Sequence, residues 1–380
     1  MPLTIGVPRE TAPGERRVAL VPETVARLVK DGMQVVVERG AGAHAYHADA
    51  AYEAAGARTG TEVDAWAADV VAKVQGPTEH ELHLLGAGRV IVGFLRPLDD
   101  PRGMAALAET GATALAMELV PRTTRAQKMD ALSAMATVAG YRAVLLAAEA
   151  LPKFFPLLTT AAGTIRPAKV LVLGAGVAGL QAIATARRLG AVVSAYDVRA
   201  AAAEEARSLG ARFVELALDT AGAEGGGGYA AALDEERQRR QVELLAEHVA
   251  QSDVVISTAL VPGRRAPLLV SGAGVRGMVP GSVVMDLAAP NGGNCELTRP
   301  GEVADVDGVR VFGPLNLAAD MPVHASQMYA RTVAALITEF VKDGAWAPPE
   351  DDDIYRSACV ARGGEVVNER VRGMLHPAPA

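Results

Sequence analysis

A glycine-rich turn near the middle of the chain restricts the possible folds more than any other feature of this sequence. Gly174, Gly176 and Gly179 form a GxGxxG motif that follows an apolar stretch at residues 169–173 and opens a helical pattern at residues 180–189. In such a unit, the first glycine permits a tight turn, the second lets the backbone approach a pyrophosphate, and the third lets the helix pack closely on the strand. The motif predicts a parallel α/β domain whose turn, with Val177 and Ala178, binds a dinucleotide at a helix N-terminus.

An acidic residue ends the next expected strand. Asp197 follows the apolar run at residues 192–196, about 20 residues after the turn, where a carboxylate binds the ribose hydroxyls of the cofactor. Its negative charge would repel a 2′-phosphate, so it favours NAD(H) over NADP(H). Val198 and Arg199 complete this part of the predicted site. Arg199 leaves the choice between NAD(H) and NADP(H) open, because a nearby arginine can accept the 2′-phosphate. A purely structural glycine turn is the alternative, and the strand–turn–helix–strand–acid context disfavours it.

Short apolar runs alternate with helical patterns along the 380-residue chain, which indicates parallel strands with helical crossovers. Hydrophobic residues make up half of the sequence and aromatic residues only 4%, as in proteins with buried parallel sheets. Strands are expected at residues 3–7, 34–38, 70–74, 90–95, 112–117, 170–173, 192–196, 213–216, 254–258, 283–287 and 309–312.

The length suits two domains rather than one core. We predict an α/β protein with two Rossmann-like, doubly wound domains that have parallel sheets and are joined by a long helix at about residues 130–151. The first domain is expected to comprise residues 1–130 and 328–380, with a helix at 328–341 and a β-hairpin around Gly363 and Gly364. The NAD(H)-binding domain is expected at residues 131–327.

Charge and composition exclude several classes of protein. The net charge of −7 and the lack of a basic stretch argue against a nucleic-acid partner. The two cysteines, Cys295 and Cys359, predict no disulfide framework and fit a reducing compartment. No run of 18 apolar residues occurs, so we predict that no segment spans a membrane.

Other residue clusters have simpler interpretations than a reactive site. His80 and His83 are spaced to share a helix face, but a metal site needs further ligands, so a surface helix is the better interpretation. His44 and His47 lie in a loop rich in glycine and alanine, and the same argument applies to them. Cys295 has no motif that would activate a thiolate. We therefore predict no metal site and no cysteine nucleophile.

Four segments together resemble the NAD(H)-binding domain of proton-translocating NAD(P) transhydrogenase, namely residues 122–133, 154–164, 286–289 and 313–317. The resemblance covers nearly the whole chain, and alanine dehydrogenase is a related soluble family with the same two-domain plan. It implies an Si/Re-specific transhydrogenase component in which hydride passes directly from NADH to NADP+ bound on a partner subunit. Proton translocation would belong to separate membrane subunits.

The resemblance also implies roles for particular residues. Arg122, Gln127, Asp130 and Ser133 match the loop and helix start that hold the nicotinamide end of NAD(H), and they are the predicted catalytic residues. Gln127 resembles the residue that reaches toward the second nucleotide. Tyr229 follows four glycines and matches the tyrosine of a loop that closes over bound NAD(H). From local chemistry alone, Asp130 and Ser133 could instead cap the long helix.

Two positions separate this assignment from its main alternative, a soluble alanine dehydrogenase-like NAD-dependent oxidoreductase. Dehydrogenation of an amino acid moves protons as well as a hydride. The lysine and histidine that act at the substrate in alanine dehydrogenase correspond here to Gln75 and Arg96. Arg17 is retained, but a guanidinium cannot act as a base. Hydride transfer between two nicotinamides needs alignment rather than an acid or base. Pro290 departs from the transhydrogenase pattern, in which glutamate is expected.

A non-catalytic NAD-sensing module is a third hypothesis, which the segment around Gln127 disfavours. The expected partners are the membrane subunit and the NADP(H)-binding subunit of a transhydrogenase. We also expect a homodimer, because two-fold dimers are the commonest oligomers and the resemblance implies one. The expected location is cytoplasmic, peripheral on the inner face of the cell membrane.

Overall fold

The structure is a computed structural model that describes residues 2–217, 234–261 and 263–375. The chain divides into two compact units: unit 1 comprises residues 1–135 and 318–380, and unit 2 comprises residues 136–317. Each unit contains a mostly parallel sheet with helices between its strands, which confirms the predicted fold class.

Unit 1 is built on an eight-stranded sheet. Its sheet strands are β1 (Thr4–Val7), β2 (Gln34–Glu38), β3 (Arg58–Gly60), β4 (Val70–Gln75), β5 (Val90–Phe94), β6 (Thr113–Ala116), β18 (Cys359–Arg362) and β19 (Glu365–Val366). Its helices are α1 (Pro22–Lys30), α2 (Asp49–Ala54), α3 (Glu62–Trp66), α4 (Glu79–Leu82), α5 (Pro101–Glu109), α11 (Pro322–Glu339), α12 (Asp353–Ala358) and α13 (Glu369–Leu375). The strand order is β19-β18-β6-β5-β4-β1-β2-β3. It reverses between β1 and β4, so the loops after these two strands diverge at the carboxyl edge of the sheet.

Unit 2 is built on a seven-stranded sheet. Its sheet strands are β9 (Lys169–Leu173), β10 (Val192–Tyr196), β11 (Arg212–Phe213), β12 (Val254–Ser257), β13 (Val283–Asp286), β14 (Val303–Val306) and β15 (Val309–Phe312). Its helices are α7 (Val177–Arg188), α8 (Ala201–Ser208), α9 (Glu235–Ala250) and α10 (Gly272–Arg276). The strand order is β11-β10-β9-β12-β13-β15-β14. It reverses between β9 and β12, and this is the usual place for a ligand in a sheet of this kind.

The long helix α6 (Ala131–Ala150) links the two units, as predicted. Its mean hydropathy of 1.5 and its 20 residues meet the criteria for a membrane span by length and composition alone, with 39% of the most apolar stretch buried. The core helix of a soluble protein meets the same criteria. The absence of a membrane span therefore stays a prediction.

The sheets differ from the prediction in their edges. Both sheets are mixed rather than wholly parallel, because β18 runs antiparallel to β6 and β14 runs antiparallel to β15. In the part of the chain that the structure describes, six short strands have no counterpart among the predicted ones. They are β3, β14, the pair β7 (Leu158–Thr160) and β8 (Gly163–Ile165), and the pair β16 (Val341–Lys342) and β17 (Ala345–Trp346). These elements have two to four residues, too few for a periodic pattern to stand out.

Candidate functional site

The glycine turn lies at the carboxyl end of β9, beside the point where the strand order of unit 2 reverses. Gly176 is the residue before helix α7, and it has no side chain that could cap the first turn of this helix. The amide groups at the start of α7 are therefore available to an anionic ligand, and the helix dipole favours negative charge there.

Each glycine of the turn has its own geometric role. Gly174 has a φ of +93°, which strongly favours glycine. A Cβ on Gly179 would lie 1.8 Å from the carbonyl oxygen of Gly174, so any side chain there would push α7 away from the turn. A Cβ on Gly176 would meet no atom of the described residues within 4 Å, so this position faces open space. The turn thus has a tightly packed base and an accessible rim, which fits a dinucleotide.

Asp197 is connected to the glycine turn by a direct hydrogen bond. The Ala175 amide donates to Asp197 Oδ2 over 2.8 Å, and the Gly174 amide donates to the Tyr196 carbonyl over 2.8 Å. The Arg199 side chain pairs with the same carboxylate at 2.9 and 2.8 Å, and its amide donates to Oδ1 at 2.9 Å. Asp197 is therefore positioned at the turn with its charge partly compensated. Val198, which lies between Asp197 and Arg199 in the chain, is half-buried.

Two polar residues that the sequence analysis missed organise the neighbouring loops of unit 2. Thr258 Oγ1 donates to the Gly174 carbonyl over 3.0 Å and so ties the end of β12 to the glycine turn. The buried Asn294 side chain accepts from the Ala259 amide and donates to the Ala259 and Pro267 carbonyls. A polar residue directly after a central strand was the only sequence signal available for Thr258.

The buried side chain of Asp286 fixes the loop after β13 through hydrogen bonds. Its fully buried carboxylate accepts hydrogen bonds from Ser257 Oγ (3.0 Å) and Thr298 Oγ1 (2.6 Å). It also accepts from the amides of Ala288, Asn294 and Cys295. These five donors on one carboxylate offset the cost of burying it, so the loop that follows is fixed rather than free.

Pro290 lies in a short 3-10 turn, Ala289–Asn291, at the surface of this loop. Gly292 and Gly293 follow with φ values of +96° and +78°, and a Cβ on Gly293 would lie 2.8 Å from Asp286 Oδ2. Proline is compatible with the start of such a turn because its amide nitrogen has no hydrogen to leave unpaired. The departure from the expected glutamate is thus accommodated locally.

The predicted catalytic segment belongs to unit 1. Arg122 and Gln127 are exposed, and Gln127 begins a 3-10 turn, Gln127–Met129. Ala126, which precedes the turn, and Met129, which ends it, are fully buried. Asp130 accepts hydrogen bonds from the Ser133 amide (2.8 Å) and from Ser133 Oγ (2.5 Å).

The pair Asp130–Ser133 therefore has the geometry of a helix cap at the start of α6. This cap does not exclude a role toward the nucleotide. The glycine turn and Asp197 lie in unit 2, so the predicted site residues are divided between the two units. Tyr229 lies outside the described residues.

The buried carboxylate of Glu15 in unit 1 accepts hydrogen bonds from Gln75 and Arg17. The Gln75 side-chain amide donates to Glu15 Oε2 over 2.8 Å, and Arg17 donates to both oxygens of Glu15 at 2.7 and 2.6 Å. Although burial opposes ionisation, the hydrogen bonds and charge of Arg17 lower the pKa of Glu15 to about 2. An amide and a permanently charged guanidinium cannot exchange protons with a substrate near neutral pH.

Two further carboxylates lie at the same edge of the unit 1 sheet. Burial raises the pKa of Glu10 to about 7, although Lys73 at 3.7 Å opposes this shift. Burial also raises the pKa of Glu118 to about 7, and its oxygens accept the amides of Leu95 and Arg96. The Arg96 backbone is left-handed, with φ of +56°, and its side chain is largely exposed.

Among the residues that the structure describes, no group of three or more His, Cys, Asp or Glu side chains is arranged to hold a metal ion. Burial raises the pKa of the Cys295 thiol to about 11, so it stays protonated at neutral pH. The geometry that remains is a glycine turn in unit 2 that fits a dinucleotide and an exposed turn around Gln127 in unit 1.

Comparison with known proteins decides the family. The family model for the N-terminal domain of alanine dehydrogenase/PNT matches residues 6–139, and the one for the C-terminal domain matches residues 143–369. The chain belongs to the alanine dehydrogenase/PNT family.

Within this family the chain is more similar to transhydrogenases than to alanine dehydrogenases. A Rhodospirillum rubrum protein that is the first part of NAD(P) transhydrogenase subunit alpha is 43% identical over 383 residues, covering 98% of this chain and 99% of that protein. The transhydrogenase structure from Sinorhizobium meliloti has a TM-score of 0.87 and 45% identity, covering 96% of this chain and 100% of that one. The alanine dehydrogenase of Mycobacterium tuberculosis is 30% identical, covering 97% of this chain and 96% of that protein. The predicted resemblance to transhydrogenase is confirmed.

Proposed function

We propose that this chain is the NAD(H)-binding, hydride-donating component of a proton-translocating NAD(P) transhydrogenase. The observation that carries the proposal is the hydrogen bond from the Gln75 side-chain amide to Glu15. The two positions where the resemblance places the proton-transferring lysine and histidine of alanine dehydrogenase hold this amide and the largely exposed guanidinium of Arg96. Family membership supports NAD(H) as the nucleotide, and the turn at Gly174–Gly179 with Asp197 is the proposed place for it.

The second nucleotide belongs to a partner in this proposal. The GxGxxG turn at residues 174–179 joins a central strand to a long helix, as a nucleotide turn does. Residues 272–277 repeat the glycine spacing, but they lie in and just after the five-residue helix α10, whose first turn is capped by Ser271. One nucleotide per chain therefore fits best, and NADP(H) is held by a separate NADP-binding subunit.

Hydride then passes directly between the two nicotinamide rings. Such a step needs no general acid or base, because alignment of the reacting carbons supplies most of the catalysis. This requirement agrees with a chain whose Gln75 and Arg96 cannot transfer protons at neutral pH.

The residues of this chain bind and orient NAD(H). The helix α7 amides and Asp197 hold the pyrophosphate and ribose, while Arg122, Asp130 and Ser133 hold the nicotinamide end. Gln127 is exposed at its turn, so it can reach toward a nucleotide on another subunit. Tyr229 is proposed as the tyrosine of the closing loop.

Proton translocation is assigned to membrane subunits that are separate chains. The Rhodospirillum rubrum relative is named as only the first part of subunit alpha, which supports this division of labour. The protein would then be cytoplasmic and peripheral, on the inner face of the cell membrane.

Exposed apolar side chains near the β7–β8 hairpin support a homodimer. They are Phe154 (53%), Leu157 (57%) and Ile165 (44%).

The decisive experiment mixes this chain with the purified NADP-binding component of a transhydrogenase. Hydride transfer from NADH to an NADP+ analogue is measured by stopped-flow absorbance for each protein alone and for the mixture. We expect transfer only in the mixture. Transfer by this chain alone, or none in a mixture shown to associate, would contradict the proposal.

A second candidate function is that of a soluble NAD-dependent amino-acid dehydrogenase. Similarity to an L-alanine dehydrogenase structure, with a TM-score of 0.83 and 28% identity, supports this candidate because the two chains share a fold. Turnover of pyruvate and ammonia with NADH distinguishes it. The arrangement of Gln75 and Glu15 argues against this alternative.

A further inference from the structure

Two cations that flank Gln127 in the sequence are paired with carboxylates from the C-terminal part of unit 1. The Arg125 guanidinium lies 2.7 Å from Asp352 and 3.4 Å from Glu339, and it also pairs with Asp353. The Lys128 ammonium lies 2.8 Å from Glu339. Glu339 thus receives both cations and bridges the two sides of the Gln127 turn.

The carboxylates belong to elements that are themselves fixed. Asp352 caps α12, since its Oδ1 accepts the amides of Ile354 (2.9 Å) and Tyr355 (3.0 Å). Glu339 is the last residue of α11, the helix that packs against the turn Gln127–Met129. The side chains of Asp352 and Glu339 are only 10% and 20% exposed, so their charges are partly removed from water.

Burial fixes the turn at two points but does not hold Gln127 itself. Ala126 and Met129 are fully buried and anchor the turn from below, while Gln127 between them is exposed. Rotation of the turn about this anchor would move the Gln127 amide, and the pairs on either side of it oppose that rotation.

We propose that Arg125 and Lys128 are positioning residues for hydride transfer: their ion pairs with Asp352, Asp353 and Glu339 set the orientation of the turn that presents Gln127. This inference rests on the proposed function. Neither cation is assigned a contact with a nucleotide. Surface ion pairs contribute little to stability individually, so losing them leaves the fold intact. Reaction rates respond far more steeply, since small displacements of positioning groups change the rate by large factors.

The test uses Arg125→Gln, Lys128→Gln and the double variant in the complex with the NADP-binding component. Arg58→Gln is the matched control, because Arg58 also forms an exposed pair in unit 1, at 3.4 Å from Asp64. Single-turnover transfer is measured at saturating partner, with the NADH affinity and the Tm of each variant. We expect roughly tenfold slower transfer in the double variant, with NADH affinity within about twofold of the original chain, because displacement of the turn affects the rate alone.

A charge exchange separates positioning from a merely structural role. In the Arg125→Gln background, where Glu339 keeps only Lys128 as its cation among the described residues, Lys128→Glu should slow transfer further, and the added Glu339→Lys should restore part of the rate by reforming that pair in reverse. Normal transfer in the double variant, or a loss of rate fully matched by lost NADH binding or a lowered Tm, would overturn the inference. If the original chain transfers no hydride in the complex, the proposed function fails, and this inference fails with it. If the original chain transfers normally and the double variant does too, only this inference fails.

Discussion

The backbone amide of Ala175 donates a hydrogen bond of 2.8 Å to Asp197, so the carboxylate proposed to bind ribose also holds the glycine turn. The same carboxylate is paired with Arg199. We therefore expect the choice between NAD(H) and NADP(H) to depend on a balance of charges at the end of β10. Asp197 is expected to repel a 2′-phosphate, and Arg199 to weaken that repulsion.

We predict that the protein binds NADH more tightly than NADPH and that Asp197→Ser narrows the difference. Loss of a charged acceptor should weaken NADH binding by about tenfold, the scale of a charge-assisted hydrogen bond. Arg199→Ala should widen the difference, because the Asp197 charge is then uncompensated. Calorimetric titration of both nucleotides checks this. Equal affinities in the original chain would refute the role of Asp197.

No amino-acid dehydrogenase activity is expected. Pyruvate, ammonia and NADH should give no turnover at ordinary enzyme rates of about 1–1000 per second. Gln75→Lys should remain inactive, because Glu15 and Arg17 still occupy the adjacent space with their own ion pair. NADH absorbance is followed with a known alanine dehydrogenase as the positive control. Turnover by the original chain would support the alternative function.

Gln127→Ala is expected to slow hydride transfer in the complex by roughly 10²-fold, since misplacement of reacting groups acts on this scale. The NADH affinity should be nearly unchanged, because the proposed phosphate and ribose contacts come from the glycine turn and Asp197. Stopped-flow single turnovers measure the rate, with Gln34→Ala as the control because Gln34 is an exposed glutamine of the same unit. A normal rate in Gln127→Ala would remove this residue from the mechanism.

The protein should be a homodimer in solution. The double variant Leu157→Asp/Ile165→Asp places charges on the exposed β7–β8 hairpin and should shift the protein toward monomer. Val63→Asp is the control, because Val63 is also exposed (63%) but lies in unit 1. Light scattering at micromolar concentration measures the mass. A monomer in the original chain, or a dimer unaffected by the hairpin variant, would contradict this prediction.

Glu10 should make stability fall as pH rises toward neutrality. Its pKa is about 7 in the folded protein and 4.5 as the ordinary value, so the folded state binds the proton more tightly. Its contribution is complete below pH 4.5 and is lost as pH rises through about 7, an effect of about 3 kcal/mol. Glu10→Gln should flatten this dependence in urea unfolding, whereas the exposed Glu23→Gln should not. Parallel pH curves for Glu10→Gln and the original chain would show that Glu10 does not titrate in this range.

The central strands and the linking helix could be predicted because their patterns are local and long. The predicted strands at 34–38, 192–196 and 309–312 agree with Gln34–Glu38, Val192–Tyr196 and Val309–Phe312. The C-terminal hairpin was also predicted, as part of the first domain, but its position in the sheet was not. Cys359 pairs with Leu115 of β6, far away in sequence, and so β18 adds an antiparallel edge that the strand pattern alone could not indicate.

The sequence by itself determined the form of the glycine turn, because Gly174, Gly176 and Gly179 act through backbone conformation and space within six residues. Only the tertiary structure decided which polar groups surround it and which charges hold the Gln127 turn. Thr258 meets Gly174, and Arg125 meets Asp352, across 84 and 227 positions of the chain respectively. Such pairs leave no periodic or spacing signal, because the folding of each unit brings them together and neither partner dictates the local structure of the other.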